Sequence, residues 1–193
     1  MTEKKKSDRP HGKDEVKKAI LESAVKLFTK NNYSEVSIRD IAAEAGINHG
    51  LIHRHFGTKE ELRRQALLLI DSKMRRSIGT PESLYDAMMA SAEIVGKDDS
   101  YWKMTARFLL DQEIGKNPVD NYLKDIVKLA EKDQLNGKIN QETDPRFIVC
   151  ALAAFGLGID QFHSYLLPST GLNDTKERRD ELFRYIINKI ISK

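Results

Sequence analysis

His49 and His53 stand four residues apart in a stretch that also holds Arg54 and His55. On a helix that spacing puts both imidazoles on one face, where they could grip a zinc ion. No cysteine or carboxylate completes the set at motif spacing, so metal binding is not expected. Catalytic chemistry is no better supplied. Asp111, Glu113 and Asp160 could pair in space as acid and base, but no glycine loop that cradles phosphate and no nucleophile elbow accompanies them. Cys150 is the single cysteine. It can form neither an internal disulfide nor a cysteine-based zinc site within the chain, and its apolar surroundings lead us to expect a buried, inert thiol that suits a reducing cytosol. His163, beside Tyr165 in an apolar stretch, is expected to be a satisfied core or pocket histidine. No enzymatic activity, metal or cofactor is expected.

The remaining chemistry is charge, and it is unevenly placed. Residues 1–76 carry 17 Lys/Arg against 11 Asp/Glu, a net of plus six, whereas residues 77–193 carry 15 against 18, a net of minus three. Four of the five histidines also fall in the first part. A basic end on a slightly acidic body points to a polyanionic partner at that end, as in nucleic-acid binders, although a merely solvated charged surface would read the same way.

The elements that must hold these residues are helices. Prolines and glycines are few and no strand-like alternation recurs, so an all-α fold is expected. Residues 1–13, with Lys4, Lys5, Lys6 and Arg9, lack a hydrophobic period and form a flexible basic tail in this reading. Val16, Ile20, Ala24, Leu27 and Phe28 then mark a first helix. Ser37 with Asp40 resembles a capping box for a short second helix, closed by Gly46. Asn48 caps a short third helix that runs to Phe56, and Thr58 with Glu61 opens a longer fourth one reaching Arg76. The boundary of a second region is expected at Gly79-Thr80-Pro81, with Thr80 as cap and Pro81 in the first turn of the next helix. Further helices are expected near 82–95, 100–115, 118–135, 145–166 and 175–191, with Asn117-Pro118 and Asp144-Pro145 starting two of them. The longest uncharged apolar run, Phe147 to Ile159, falls short of the roughly 20 residues needed to cross a bilayer. It is expected as a buried helix of a soluble, cytoplasmic protein without a membrane partner, and Met1 to Lys18 offers no apolar export segment.

Two short helices joined by a glycine turn in a basic region describe a helix-turn-helix. Ile41 and Ala42 can lock against Ile47, Leu51, Ile52 and Phe56, leaving the polar face of the second helix free for a major groove. The run Ser37-Ile-Arg-Asp-Ile-Ala-Ala-Glu-Ala-Gly-Ile-Asn-His-Gly-Leu-Ile-His-Arg-His-Phe-Gly-Thr-Lys-Glu-Glu-Leu62 resembles the signature of the TetR family of transcriptional regulators, and the likeness is strong over residues 14–73. The resemblance implies a DNA-binding domain at 14–76 and a helical regulatory and dimerisation domain at 77–193. It also implies a homodimer on double-stranded, palindromic DNA, acting as a ligand-responsive repressor.

Carried over residue by residue, the resemblance points Arg39 toward DNA, makes Asn48, His49, Gly50 and Leu51 the base-facing positions, and makes Lys59 a phosphate contact. Leu51 either packs inward or meets a thymine methyl. His53 departs from the pattern, since tyrosine is common there. A neutral imidazole can still donate one hydrogen bond to phosphate, so the contact is expected to be weaker or pH dependent. Arg54 and His55 add phosphate contacts beside it. Ser37 is first a structural cap, with a hydroxyl that can also touch phosphate.

In the second region Trp102, Met104, Arg107, Phe108, Gln112, Tyr122, Phe155, Phe162 and His163 are the candidates for a pocket that takes a small, largely apolar effector. Ordinary packing is the competing role for each of them. The alanines and glycines of Phe147 to Ile159, together with Leu182, Phe183, Ile186, Ile187, Ile190 and Ile191, are expected to build the dimer contact.

Overall fold

The computed structural model describes residues 10–111 and 120–191. Lys4 to Lys6, Arg9, Gln112, Glu113 and the Asn117-Pro118 start lie outside the described residues. Among those described, all regular structure is helical. The chain divides into two compact units, residues 1–70 and 71–193, and the division falls inside a helix, ahead of the 76/77 boundary expected from the sequence.

In the first unit α1 (Lys13–Lys30) buries Val16, Ile20, Ala24 and Phe28 of the stripe read from the sequence, while Leu27 is half-buried. A 3-10 turn at Tyr33–Glu35 leads to α2 (Ile38–Ala45), which packs on α1 and on α3 (His49–Phe56). Ile41, Ala42, Ile52 and Phe56 are buried where these helices meet. Then α4 (Lys59–Ile78) begins, with Leu62, Ala66, Leu67 and Ile70 buried.

The second unit takes the end of α4 and five further helices: α5 (Leu84–Val95), α6 (Ser100–Leu110), α7 (Asp120–Leu135), α8 (Pro145–Ser169) and α9 (Lys176–Ile191). α8 packs against α6, α7 and α9, while α5 packs against α6, α7 and α9. Its core is Leu84, Ala87, Met104, Phe108, Ala130, Leu152 and Ile187, with a polar inclusion. Within that inclusion Arg75 bonds to Asp71 at 2.9 Å and to Asp125 at 2.7 Å, and the Tyr122 hydroxyl meets Ser91 at 2.8 Å. Burial pushes the Asp71 carboxyl up despite Arg75, and pushes the Tyr101 and Tyr122 hydroxyls up as well.

Three expectations are corrected. α5 starts at Leu84, not near 82, and its cap is Ser83, not Thr80. The Ser83 hydroxyl accepts from Asp86 N, and the Leu84 N–H is taken at 2.7 Å by the buried carboxylate of Asp133. Cys150 is exposed, because it lies on the outer face of α8. The helix around it, expected near 145–166, starts at Pro145 and continues through Pro168 to Ser169, but it is not the buried helix expected: only 22% of its most apolar window is buried. By length and composition α8 could cross a bilayer. Its outward stripe includes Phe147, Phe162 and Tyr165, which are 71%, 58% and 71% exposed.

Candidate nucleic-acid interface and ligand cavity

The turn between α2 and α3 is fixed by Gly46, whose φ of 67° lies in the left-handed region that favours glycine. Its N–H turns back to the carbonyls of Ala42 and Ala43, and Ile47 N–H bonds to Ala42 O at 3.0 Å, which closes α2 in a Schellman-like stop. At the other end of α2 the capping box is complete. Asp40 N–H bonds to Ser37 Oγ at 3.1 Å, and Ser37 N–H bonds to Asp40 Oδ2 at 2.8 Å. The Ser37 hydroxyl also donates to Asp40 Oδ2 at 2.6 Å, and that bond first, then the Ser37 N–H, holds the Asp40 carboxyl below its ordinary range.

α3 is capped by Asn48, whose Oδ1 accepts from Gly50 N–H at 2.9 Å. With Ile52 and Phe56 buried, the helix exposes Asn48, His49, Gly50, His53 and Arg54, while Leu51 and His55 are half-buried at its edges. Arg39 and Ser37 are exposed on α2. Two basic residues, Arg39 and Arg54, and the two exposed histidines thus share the polar surface of the helix pair.

His53 uses one ring nitrogen internally, its Nδ1 lying 3.1 Å from Gly57 O. A carbonyl only accepts, so Nδ1 carries the proton and a neutral ring presents Nε2 as an acceptor. Lys59 is also engaged: its Nζ donates to Tyr33 O at 2.5 Å and sits 3.9 Å from the centre of the Tyr33 ring. Arg63 lies 3.9 Å from the same ring, and the Tyr33 hydroxyl donates to Glu60 at 2.6 Å, holding that carboxyl below its ordinary range. Tyr33 was not singled out in the sequence, and its only signal there was an aromatic residue between asparagines and a cap.

The start of α4 keeps half of its expected box. Thr58 Oγ1 accepts from Glu61 N–H at 3.1 Å, but the Glu61 carboxylate turns to Arg64 and Gln65. Those two partners, Arg64 first, hold the Glu61 carboxyl down at about 2.

In the second unit a cavity of about 310 Å³ opens where the end of α5, the start of α6, the middle of α8 and the start of α9 meet. Of the nine pocket candidates, Trp102 and His163 line it. Met104, Phe108 and Tyr122 are buried in the core, Phe155 is half-buried with its ring 5.9 Å from that of Phe183, and Phe162 faces outward. Arg107 is half-buried on α6, away from the lining. The wall sets the charged residues Asp99, Asp160, Arg179 and Lys176 beside the apolar surfaces of Trp102 and Phe183. Only Asp160 among these four carried a sequence signal, as an acid within an apolar helix.

A short helix stopped by a left-handed glycine, followed by a second whose polar face is exposed, defines a DNA-binding helix-turn-helix regulator. The family described as bacterial regulatory proteins, tetR family, matches residues 20–66. The chain is 32% identical over 179 residues to the HTH-type transcriptional repressor Rv3405c of Mycobacterium tuberculosis, covering 90% of this chain and 89% of that one. The HTH-type transcriptional regulator Mb3439c of Mycobacterium bovis matches to the same extent. Among solved structures, a TetR-family transcriptional regulator from Rhodococcus sp. superimposes with a TM-score of 0.73 at 18% identity, covering 93% of this chain and 100% of that one. The fatty acid degradation regulator FadR from Bacillus halodurans gives 0.71 at 16% identity, covering 94% and 97%. The chain belongs to the tetR family of bacterial transcriptional regulators. It is a DNA-binding regulator, not an enzyme.

Proposed function

We propose that the protein is a ligand-responsive repressor that binds a palindromic operator as a homodimer and leaves it when a small molecule enters its second unit. The observation that carries this reading is the exposed polar face of α3, whose opposite face is held by buried Ile52 and Phe56 against Ile41 and Ala42 of α2. Arg39 and the segment Asn48 to Leu51 choose the sequence, and Ser37, His53, Arg54, His55 and Lys59 grip phosphate. Repression is supported by the name of the Mycobacterium tuberculosis relative.

The homodimer reading rests on α8. Its exposed apolar stripe needs a cover, and Asp160 and His163 on the same helix would be costly in lipid. A second copy of the chain related by a twofold axis supplies that cover and presents two α3 helices to half-sites about 34–36 Å apart or at a larger spacing. The cavity gives an effector a place to act, and it regulates only if the effector binds the DNA-competent and released conformations unequally.

The test is selection of bound fragments from genomic DNA, followed by titration of the selected duplex. A two-fold symmetric consensus, bound by a dimer and lost in an Arg39→Ala plus Asn48→Ala variant, is the expected result. Binding without sequence preference would overturn it.

A further inference from the structure

The cavity in the second unit is lined by charge that is not evenly committed. Arg179 Nη1 lies 3.0 Å from His163 Nε2 and 3.3 Å from its Nδ1, over the face of the ring, and Nδ1 meets the Asp174 carboxylate at 2.9 Å. Lys97 is paired with Glu93 at 3.2 Å, away from the interior, and Asp99 is paired with Lys103 at 2.5 Å. Asp160 differs. It is half-buried one helical turn before His163, and its hydrogen-bond partner among the described residues is the neutral amide of Gln161 at 2.8 Å.

Two flat apolar surfaces complete the wall. The Trp102 ring comes within 3.7 Å, and the Phe183 ring within 3.9 Å, of where a side chain would begin at Gly156. Both rings thus stand beside the α8 backbone one turn before Asp160, at a distance that a Cβ at Gly156 would meet as ordinary contact. The volume, about 310 Å³, is at the small end of the range of ligand sites.

We propose that this cavity recognises a small organic cation, a protonated amine on a flat apolar body, with the ammonium against Asp160 and the body between Trp102 and Phe183. The identity of the class deepens the ligand-responsive reading above and rests on it for its regulatory meaning. A half-buried carboxylate whose hydrogen bond comes from a neutral amide, with the nearby Lys103 paired to Asp99, is a burden to the fold. An ammonium relieves it, and the aromatic faces add attraction for the same charge. The raised position of the Asp160 carboxyl, caused first by burial, agrees with that burden. Of the lining cations, Arg179 lies against His163 and Asp174, Lys97 is paired with Glu93 and Lys176 is exposed at the start of α9, so an anion beside Trp102 would meet Asp160 and Asp99.

Trp102 is the single tryptophan of the chain, so its fluorescence reports on this cavity directly. The full-length protein is titrated at millimolar concentrations with 2-phenylethylamine, 3-phenylpropionate and 2-phenylethanol at constant ionic strength, with thermal shift as a second readout. The amine is expected to saturate at concentrations about tenfold lower than the other two, the size of one charge-assisted contact. Asp160→Asn removes that advantage, and Glu131→Gln, the same loss of charge on an exposed stretch of α7, retains it. Preference for the acid, equal binding of all three, no saturable binding of the amine, or an amine advantage that survives Asp160→Asn would each overturn the proposal. Operator titration in parallel separates the two readings. Amine binding that leaves DNA affinity unchanged counts against ligand-responsive repression but upholds the cation site. Release of DNA by the acid alone upholds ligand response and overturns the cation.

Discussion

The imidazole of His53 is held by the backbone at the end of its own helix, Nδ1–H to Gly57 O at 3.1 Å. The ring therefore meets a phosphate with Nε2, which in the neutral state has a lone pair where a donor is needed. A tyrosine hydroxyl, common at this place in the family, donates at any physiological pH. The neutral His53 ring, with its one N–H given to Gly57 O, offers phosphate no donor.

His53→Tyr is accordingly expected to raise operator affinity, because its hydroxyl donates to phosphate where the neutral imidazole presents a lone pair. The check is operator titration of both proteins at one salt concentration and one pH. An unchanged or lower affinity would remove His53 from the phosphate contacts.

Arg54→Ala is expected to lower the slope of log affinity against log salt by roughly one unit, with little change in sequence preference. Lys59→Ala carries a second effect, because Lys59 also ties α4 to Tyr33. It should lower both the salt slope and the melting temperature, whereas Arg54→Ala, at an exposed position, should change only the first. Salt titration and thermal melting of the two single variants distinguish these outcomes.

Gly46→Ala isolates the turn between α2 and α3. A Cβ there meets nothing within 4 Å, so the cost is backbone strain at φ +67° and not a clash. A loss of about 1–2 kcal/mol is expected, together with weaker DNA binding, because the same turn aims α3. Ser37→Ala removes one half of the cap of α2 and should cost about 1 kcal/mol. Chemical denaturation measures both, and a stabilised Gly46→Ala would contradict the assigned conformation.

Much of the first unit was legible because its signals are local. Gly46 and the Ser37–Asp40 box each act within a few residues, and the stripe of α1 is set by period alone. The start of α5 was not legible in the same way. Thr80-Pro81 and Ser83 are competing local signals, and in the fold Ser83 caps the helix while Asp133, far along the chain on α7, holds the adjoining N–H. Cys150 was misplaced for a related reason: a helix apolar on all sides has no period to tell its inner face from its outer one. The cavity was only partly legible. Its wall comes from four helices, and nothing in the spacing of Asp160 links it to Asp99 or Phe183.

Asp160→Asn offers a pH test of the cavity that needs no ligand. Burial, opposed by the Gln161 hydrogen bond, raises the Asp160 carboxyl above its ordinary 3.8, with Asp99 adding to the rise and Lys103 and His163 opposing it; Arg179 and Asp180 of α9 also line the wall. A raised carboxyl favours the protonated fold. Its contribution is complete below the ordinary value and is lost as pH rises through the raised one. Asparagine cannot ionise, so the melting temperature of the variant minus that of the parent should increase between about pH 4 and pH 7. A difference that falls over the same range would show that the ionised Asp160 is well accommodated.

The outer face of α8 yields the last prediction. Phe162 and Tyr165 are 58% and 71% exposed, and Tyr185 on α9 is 56% exposed. A side chain added at Gly158 would meet open space in the single chain. If a second copy covers this face, charge placed on it should break the dimer while leaving each chain folded, because the altered residues contribute little to the intrachain core. Phe162→Glu with Tyr165→Glu is therefore expected to give a helical monomer by sedimentation at micromolar concentrations. Its affinity for an isolated half-site should match that of the parent, since the α2–α3 pair is untouched. Its affinity for the full operator should fall by about a hundredfold or more, because the second head no longer arrives at the high effective concentration that a dimer provides. A variant that stays dimeric would place the contact elsewhere, and one that turns monomeric yet holds the full operator as tightly as the parent would overturn recognition by paired heads.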